Sequence, residues 1–249
     1  MIRLNNISLD YDERHILKNV SLTVEKGTTS VILGSSGAGK STILKVILGL
    51  TDIKSGEVFI NGKSIYQINE KELLKVRRKI GIVFQGNALF DSLNVRENVS
   101  YFLAYENKLS EREINEKVKE MLSFVNLEDT QELYPDQLSG GMKKRIAIAR
   151  ALAAGPEIIL FDEPTTGLDP INSKAILELI NKLKSLGKTS IVVTHILNDA
   201  VFIADNMTVI NEGEIVASGS VREILKSDNS FIQKFFYEIF LDNTLFKEN

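Results

Sequence analysis

Apolar and polar positions alternate from the start of the chain, and Ile2 to Leu9 has the two-residue period of a half-buried strand. Val20 to Val24 and Ser30 to Leu33 predict two more short strands, with Asp12-Glu13-Arg14 and Lys26-Gly27-Thr28 as the turns between them. From Lys40 to Leu50 the period lengthens. Ile43, Leu44, Ile47 and Leu48 recur at the spacing of a helix with one buried side. Glu57 to Asn61 and Lys79 to Phe84 predict further strands, whereas Val95 to Ala154 carries helical patterns without a convincing strand. That block reads as an inserted helical subdomain. Beyond it the pattern alternates: strand at Ile158 to Phe161, helix at Asn172 to Ser185, strand at Ser190 to Thr194, helix at Leu197 to Ala204, strand at Met207 to Ile210. Such alternation predicts an α/β fold with a largely parallel sheet covered by helices on both faces. No internal repeat or low-complexity linker interrupts it.

Composition narrows the class. At 249 residues, 43% hydrophobic and 25% charged, the chain is an ordinary globular one, which excludes disorder and fibrous repeats. A formal charge of -3 is too balanced for coating nucleic acid through counterion release, so no nucleic-acid partner is expected. Cysteine is absent, which removes disulfides, thiolate metal sites and thiol nucleophiles. The longest stretch without Asp, Glu, Lys or Arg is the thirteen residues Gly27 to Gly39, rich in Gly, Ser and Thr. A spanning helix needs about twenty apolar residues, so no membrane crossing is expected. The N-terminus lacks a secretory pattern, and a cytoplasmic location is expected.

The chemistry concentrates in two segments. Gly34-Ser35-Ser36-Gly37-Ala38-Gly39-Lys40-Ser41 fits the phosphate loop G-x-x-x-x-G-K-[ST], and it follows a predicted strand and opens a predicted helix. The glycines let backbone N–H groups turn inward around phosphates, the helix start adds its dipole, Lys40 neutralises the β and γ groups, and Ser41 can ligate Mg²⁺. Ile158-Ile159-Leu160-Phe161-Asp162-Glu163 is an apolar strand ending in two carboxylates at the sheet edge where α/β ligands bind. Asp162 is the candidate for the metal, and Glu163 for polarising an attacking water. An acidic pair after a strand is otherwise a helix cap or a solvated turn.

Leu138-Ser139-Gly140-Gly141-Met142, before that strand, resembles the signature of ATP-binding cassette (ABC) ATPases. The remaining cassette motifs stand in order over roughly residues 1–225. They are Tyr11 in the adenine-stacking position, Gln85 after the Lys79 to Phe84 strand, Thr166-Gly167-Leu168-Asp169 as the D-loop, and His195 ending a strand as the switch histidine. The resemblance implies a P-loop NTPase of ABC type with a RecA-like parallel-sheet core, an N-terminal antiparallel β-subdomain and an inserted helical subdomain. It also implies ATP and Mg²⁺ as cofactors, with Thr42 beside Ser41 in the phosphate site, and Ser41, Gln85 and Asp162 at the metal. Lys40, Gln85, Glu163 and His195 would carry hydrolysis. Ser139, Gly140 and Gly141 would close the site of a second copy, bound head to tail with ATP between, with Asp169 at the same junction. Each position also has a plainer reading. Tyr11 also fits a strand-end core tyrosine, Gln85 a loop residue bonded to backbone, His195 a structural histidine, and Asp169 before Pro170 a helix cap. Lys143, Lys144 and Arg145 add positive charge near the signature or form a solvated helix face.

A single cassette without a spanning segment resembles a transporter subunit. Phe84 to Val95, reading Phe-Gln-Gly-Asn-Ala-Leu-Phe-Asp-Ser-Leu-Asn-Val, with Met142 closing the signature and Ile171 after Asp169-Pro170, resembles the ATPases of Mla-type (MCE-associated) lipid transport systems. That resemblance implies a phospholipid cargo and a peripheral position on the cytoplasmic face of the inner membrane. Its implied partners are a membrane permease, an MCE-domain protein and, in some systems, a STAS-domain protein. Gly86 to Asn94 is read as a flexible loop at the permease groove, with Phe90 either exposed there or in the core. The other reading is an amino-acid or other small-solute importer ATPase. Non-transport ATPases and turnover-free regulators are disfavoured by the charge balance and the intact Glu163, Gln85 and His195. Residues 226–249 form an aromatic tail in which Phe231, Ile232, Phe235, Phe236, Ile239 and Phe240 recur at helical spacing. The stripe is read as packing on its own domain or as a docking helix.

Overall fold

The computed structural model describes residues 1–105 and 109–244, with side chains to residue 237. The chain begins with strands β1 (Ile2–Tyr11), β2 (Arg14–Val24) and β3 (Thr29–Leu33), then helix α1 (Lys40–Ile47), then β4 (Ser55–Ile60) and β5 (Lys63–Ser64). Helix α2 (Glu70–Arg77), strand β6 (Ile80–Val83), and helices α3 (Val95–Tyr105), α4 (Glu111–Phe124) and α5 (Gly140–Ala153) come next. Strand β7 (Ile158–Asp162), helix α6 (Pro170–Ser185), strand β8 (Thr189–Thr194) and helix α7 (Leu197–Ile203) follow. Strands β9 (Asn206–Asn211) and β10 (Glu214–Ser220) and helices α8 (Val221–Leu225) and α9 (Ser230–Thr244) end the described chain. Two compact units divide it, Met1–Ile68 with Ile191–Asn249, and Asn69–Ser190.

In the first unit, β1 pairs antiparallel with β2 and β4, matching Leu4 to Leu22 and Val58, so the alternating apolar residues of three strands share one face. Ile2, Leu4, Ile7, Leu9, Val20, Val24 and Val58 are all buried there. A second sheet runs β10-β9-β3-β8, with β3 parallel to β9. Every residue of β3 is buried, the pattern of a strand covered on both faces. Helix α9 supplies Ile232 and Phe236 to the core, at 1% and 5% exposure, and stacks Phe231 on Phe235 with centroids 5.7 Å apart. The side chains of Ile239 and Phe240 lie outside the described residues.

In the second unit, β6 and β7 pair in parallel, Ile80 to Ile158 and Val83 to Phe161. Helices α3, α4 and α5 pack against one another. Helix α4 starts at a capping box, with Ser110 accepting from the Glu113 N–H and the Glu113 carboxylate accepting from the Ser110 N–H. Ile146, Ala147, Ile148 and Ala149 of α5 are fully buried, so this helix is the spine of the unit. Among the described residues no helix is long and apolar enough to cross a membrane.

Candidate functional site

The phosphate-loop segment belongs to the first unit, between β3 and α1. Gly37 and Gly39 take φ of 82° and 101°, a left-handed backbone that admits glycine readily. A side chain at Gly39 would also stand 2.8 Å from Leu17 Cδ2 and 3.0 Å from the Ile16 carbonyl, and one at Gly34 would overlap the Ile210 carbonyl. Space around Gly37 is open, and Ser35, Ser36, Gly37 and Ser41 are exposed. The loop therefore offers one free face and is braced on the other. Gly213, in the β9–β10 turn, donates its N–H to the Ala38 carbonyl at 3.2 Å, and Gly34 donates to the Thr194 carbonyl at 3.3 Å. This second bond sets the loop beside the end of β8, where His195 is exposed.

Helix α1 starts at Gly39 with no side-chain cap, unlike α2, α4, α5, α6 and α8, which Asn69, Ser110, Ser139, Asp169 and Ser220 cap. Its first N–H groups and dipole suit an anion. Lys40 is 6% exposed, and its Nζ donates to the carbonyls of Gly34 at 2.9 Å and Ser35 at 3.0 Å. Glycine curvature, uncapped amides and a placed ammonium fit a chain of phosphates. Tyr11 ends β1 at 42% exposure, with its hydroxyl 3.3 Å from Thr51 Oγ1, so its ring is on the surface and not in the core. Near it, Asp10 accepts from Lys54 Nζ at 2.6 Å and lies 2.7 Å from His15 Nδ1; the two partners hold its carboxyl below the usual range.

The second unit carries the other predicted residues. Asp162 ends β7, and Glu163 follows it at 7% exposure with φ of 47°. A left-handed glutamate costs on the order of 1–3 kcal/mol, and such strain collects at functional sites. Thr166 Oγ1 donates to Glu163 Oε2 at 3.1 Å, fixing the carboxylate's direction. Gln85 is exposed just beyond β6. Ser139 caps α5, accepting from the Met142 N–H at 3.3 Å. Asp169 caps α6, accepting from Ile171 and Asn172 N–H at 3.0 Å each and from Asn172 Nδ2 at 2.5 Å, and these bonds, the Asn172 side chain first, lower its pKa. The cap reading of Asp169 is therefore correct as far as its local bonds go. The two caps adjoin: a side chain at Gly141 would overlap Asn172, and one at Gly140 would lie 3.7 Å from Leu168.

Two expectations are corrected. Lys144 is not on a solvated face, being 2% exposed and donating to the carbonyls of Phe84 at 3.2 Å and Gln85 at 2.8 Å. Nor is Gly86 to Asn94 a loose loop. Buried Asn98 donates to the carbonyls of Phe90, Leu93 and Asn94 and accepts from the Phe90 N–H at 2.8 Å, and Arg150 holds Asn87 and Ala88. Phe90 stays 39% exposed while its ring lies 4.5 Å from that of Tyr101. Asn98, Lys144, Arg150 and Gly213 were missed as site-shaping residues. Of these only Gly213 had a local signal, the Asn-Glu-Gly turn after a strand.

A family model described as ABC transporter matches residues 17–166. The spermidine/putrescine import ATP-binding protein PotA of Thermotoga maritima is 42% identical over 91% of this chain and 60% of its own length. The methionine import ATP-binding protein MetN of Mannheimia succiniciproducens is 40% identical over 98% of the chain and 72% of that protein. The intermembrane phospholipid transport system ATP-binding protein MlaF of Haemophilus influenzae is 37% identical over 94% of the chain and 89% of that protein. Among solved structures, a dimeric ATP-binding cassette in a post-hydrolysis state, bound to ADP and Pi, is 38% identical with a TM-score of 0.82, covering 89% of this chain and 99% of that one.

Proposed function

From the premise that this chain belongs to the ABC transporter ATP-binding family, we propose that it hydrolyses ATP as the motor of a membrane transporter whose cargo is lipid, most specifically phospholipid. The family membership rests on the matched model and on relatives aligned over more than nine-tenths of the chain. The phosphate loop Gly34 to Thr42 binds the phosphates, Lys40 supplies the positive charge and Tyr11 offers a face to the base. Glu163 takes a proton from the attacking water, its carboxylate aimed by Thr166. His195 touches the γ-phosphate, and Gln85 orients water. Among the described residues no three His, Asp or Glu side chains cluster as a metal cage. From the motif resemblance alone, Ser41, Gln85 and Asp162 are the residues that would hold Mg²⁺, which would neutralise phosphate charge.

Ser139, Gly140 and Gly141, with Asp169, close the site of a second copy. The dimeric solved cassette supports this reading, as does the contact surface that the α5 and α6 starts share. The observation that carries the lipid reading is the wording of Phe84 to Val95 together with Met142 and Ile171. The phospholipid-system relative supports it. A permease would take the aromatic surface around Phe90, and an MCE-domain protein, with or without a STAS-domain protein, would complete an assembly on the cytoplasmic face of the membrane. The methionine and polyamine import relatives favour a second reading, a small-solute importer, at similar identity. Reconstituting the chain with its co-purifying permease in vesicles, and following labelled phospholipid beside ATP hydrolysis with Glu163→Gln as control, separates the two. ATP-dependent lipid movement is expected. Movement of an amino acid or polyamine with lipid left in place would overturn the lipid reading and keep the ATPase.

A further inference from the structure

Two buried cations of α5 have no task in the nucleotide chemistry. Lys144 gives its ammonium to the carbonyls of Phe84 and Gln85, at 3.2 and 2.8 Å. Arg150 gives its guanidinium to those of Ala88 and Asn87, at 2.6 and 2.9 Å, and sits 5.8 Å from the Phe90 ring centroid. One helix therefore holds four carbonyls of the segment 84–88. The segment needs such anchoring, because Asn87 and Ala88 take φ of 63° and 51° and leave the ladder that β6 belongs to. Burial is costly for both cations and lowers both pKa values, that of Lys144 to about 8 against the opposing pull of Asp162. Methionine or leucine would fill the same space without that cost, so the charged donors mark a specific arrangement of the loop.

Lys144 stands one turn along α5 from Gly140, at the end of the helix where the signature residues lie. We propose that Lys144, seconded by Arg150, is a positioning residue that fixes Gln85 to the signature helix, so that Gln85 works only in register with Gly140 and Gly141. This rests on the ATPase reading above. In a head-to-tail pair the signature would serve the partner copy's nucleotide, so the clamp would tie Gln85 to that site.

A double-mutant cycle tests it on the full chain. Lys144→Met keeps the aliphatic stem and removes the donors; Lys144→Gln keeps a neutral pair of N–H donors. ATP affinity, read with a fluorescent ATP analogue, should stay within about threefold in both, while kcat falls about tenfold or more in Lys144→Met and partly recovers in Lys144→Gln. In a Gln85→Ala background the same Lys144 change should alter kcat by less than about twofold, because the residue acts through Gln85. Equal losses in both backgrounds, or affinity and kcat falling together, would make Lys144 a general structural residue and overturn the proposal. Should Lys144→Met not fold, the Lys144→Gln and Gln85→Ala pair gives the same decision. Absence of hydrolysis by the unaltered chain would instead count against the ATPase reading.

Discussion

Gly141→Ala sets two opposing effects against each other at the junction of α5 and α6. Gly141 is buried in the first turn of α5, and a Cβ there would overlap Asn172 Oδ1 and Cγ and lie 3.0 Å from Asn172 Cβ. Asn172 has little freedom to swing aside, since its Nδ2 donates to Asp169 Oδ2 and its own N–H donates to Asp169 Oδ1. Forcing a methyl group into a packed site costs typically about 1–3 kcal/mol. Replacing a helical glycine by alanine returns at most about 1 kcal/mol. The net expectation is a loss of up to about 2 kcal/mol. In an Asn172→Ala background the obstacle is gone, only the propensity gain remains, and the same change should stabilise by up to about 1 kcal/mol. The difference between the backgrounds corresponds to a coupling of about 1–3 kcal/mol between the two positions. Urea unfolding of the four chains, followed by circular dichroism because no tryptophan is present, measures it. If Gly141→Ala costs the same in both backgrounds, the signature and D-loop segments are not held together as argued.

Glu163→Gln keeps the shape and removes the base, so ATP binding should persist while turnover falls about a hundredfold or more; full hydrolysis would remove Glu163 from the mechanism. Mixing Lys40→Ala with Ser139→Arg chains should restore one working site per mixed dimer, and normal hydrolysis by Ser139→Arg alone as a verified dimer would reject the composite site. Ile232→Ala in α9, at a position 1% exposed, should cost about 2–5 kcal/mol in urea unfolding; a change below about 0.5 kcal/mol would mean that the tail is not core. The folded pKa of Lys144, about 8, lies below the ordinary lysine value of 10.5, so the cost of its buried charge is full below pH 8 and fades as pH rises through 10.5. The stability of the unaltered chain relative to Lys144→Met should therefore improve between about pH 7.5 and pH 10, and a flat difference in urea midpoints would contradict the buried ammonium.

The parts legible in sequence are those whose determinants are local. The phosphate loop, the acidic pair and the helix starts depend on residues within one turn of one another, and the β3, β7 and β8 strands announce themselves as apolar runs. Elements specified by pairing were invisible. Helix α2 buries only Val76, too little for a periodic signal, although Asn69 capping Glu72 was there to be seen. Strand β10 has no buried residue and exists through its ladder to β9. Strand β2 begins at Arg14, well before Val20, because its first residues, with Arg14 and His15 exposed, are fixed by pairing with β1. Lys144 was misread for a related reason. Periodicity assigns a helical lysine to water, and the carbonyls that hold it lie 59 and 60 residues away.

Relatives named for polyamine, methionine and phospholipid transport share 42, 40 and 37% of their aligned residues with this chain. Identity that hardly changes with the named cargo does not assign the cargo, so a surface able to meet other proteins bears on it more directly. The helical block has such a surface: Phe90, Tyr101, Phe102 and Tyr105 are 39, 39, 55 and 81% exposed. The first three rings touch in series, with centroids 4.5 and 5.5 Å apart. An exposed aromatic cluster of this kind marks an interaction site more often than chance. Its anchor is what suits it to a motor. Phe90 is held by Asn98 through the backbone and adjoins the Arg150 guanidinium, so a load applied to the ring reaches α5 through short, directed contacts. Helix α5 carries that load to Gln85 through Lys144 and to the signature through its first turn. A permease on the aromatic surface and a nucleotide at the signature, as proposed above, would act on the same helix.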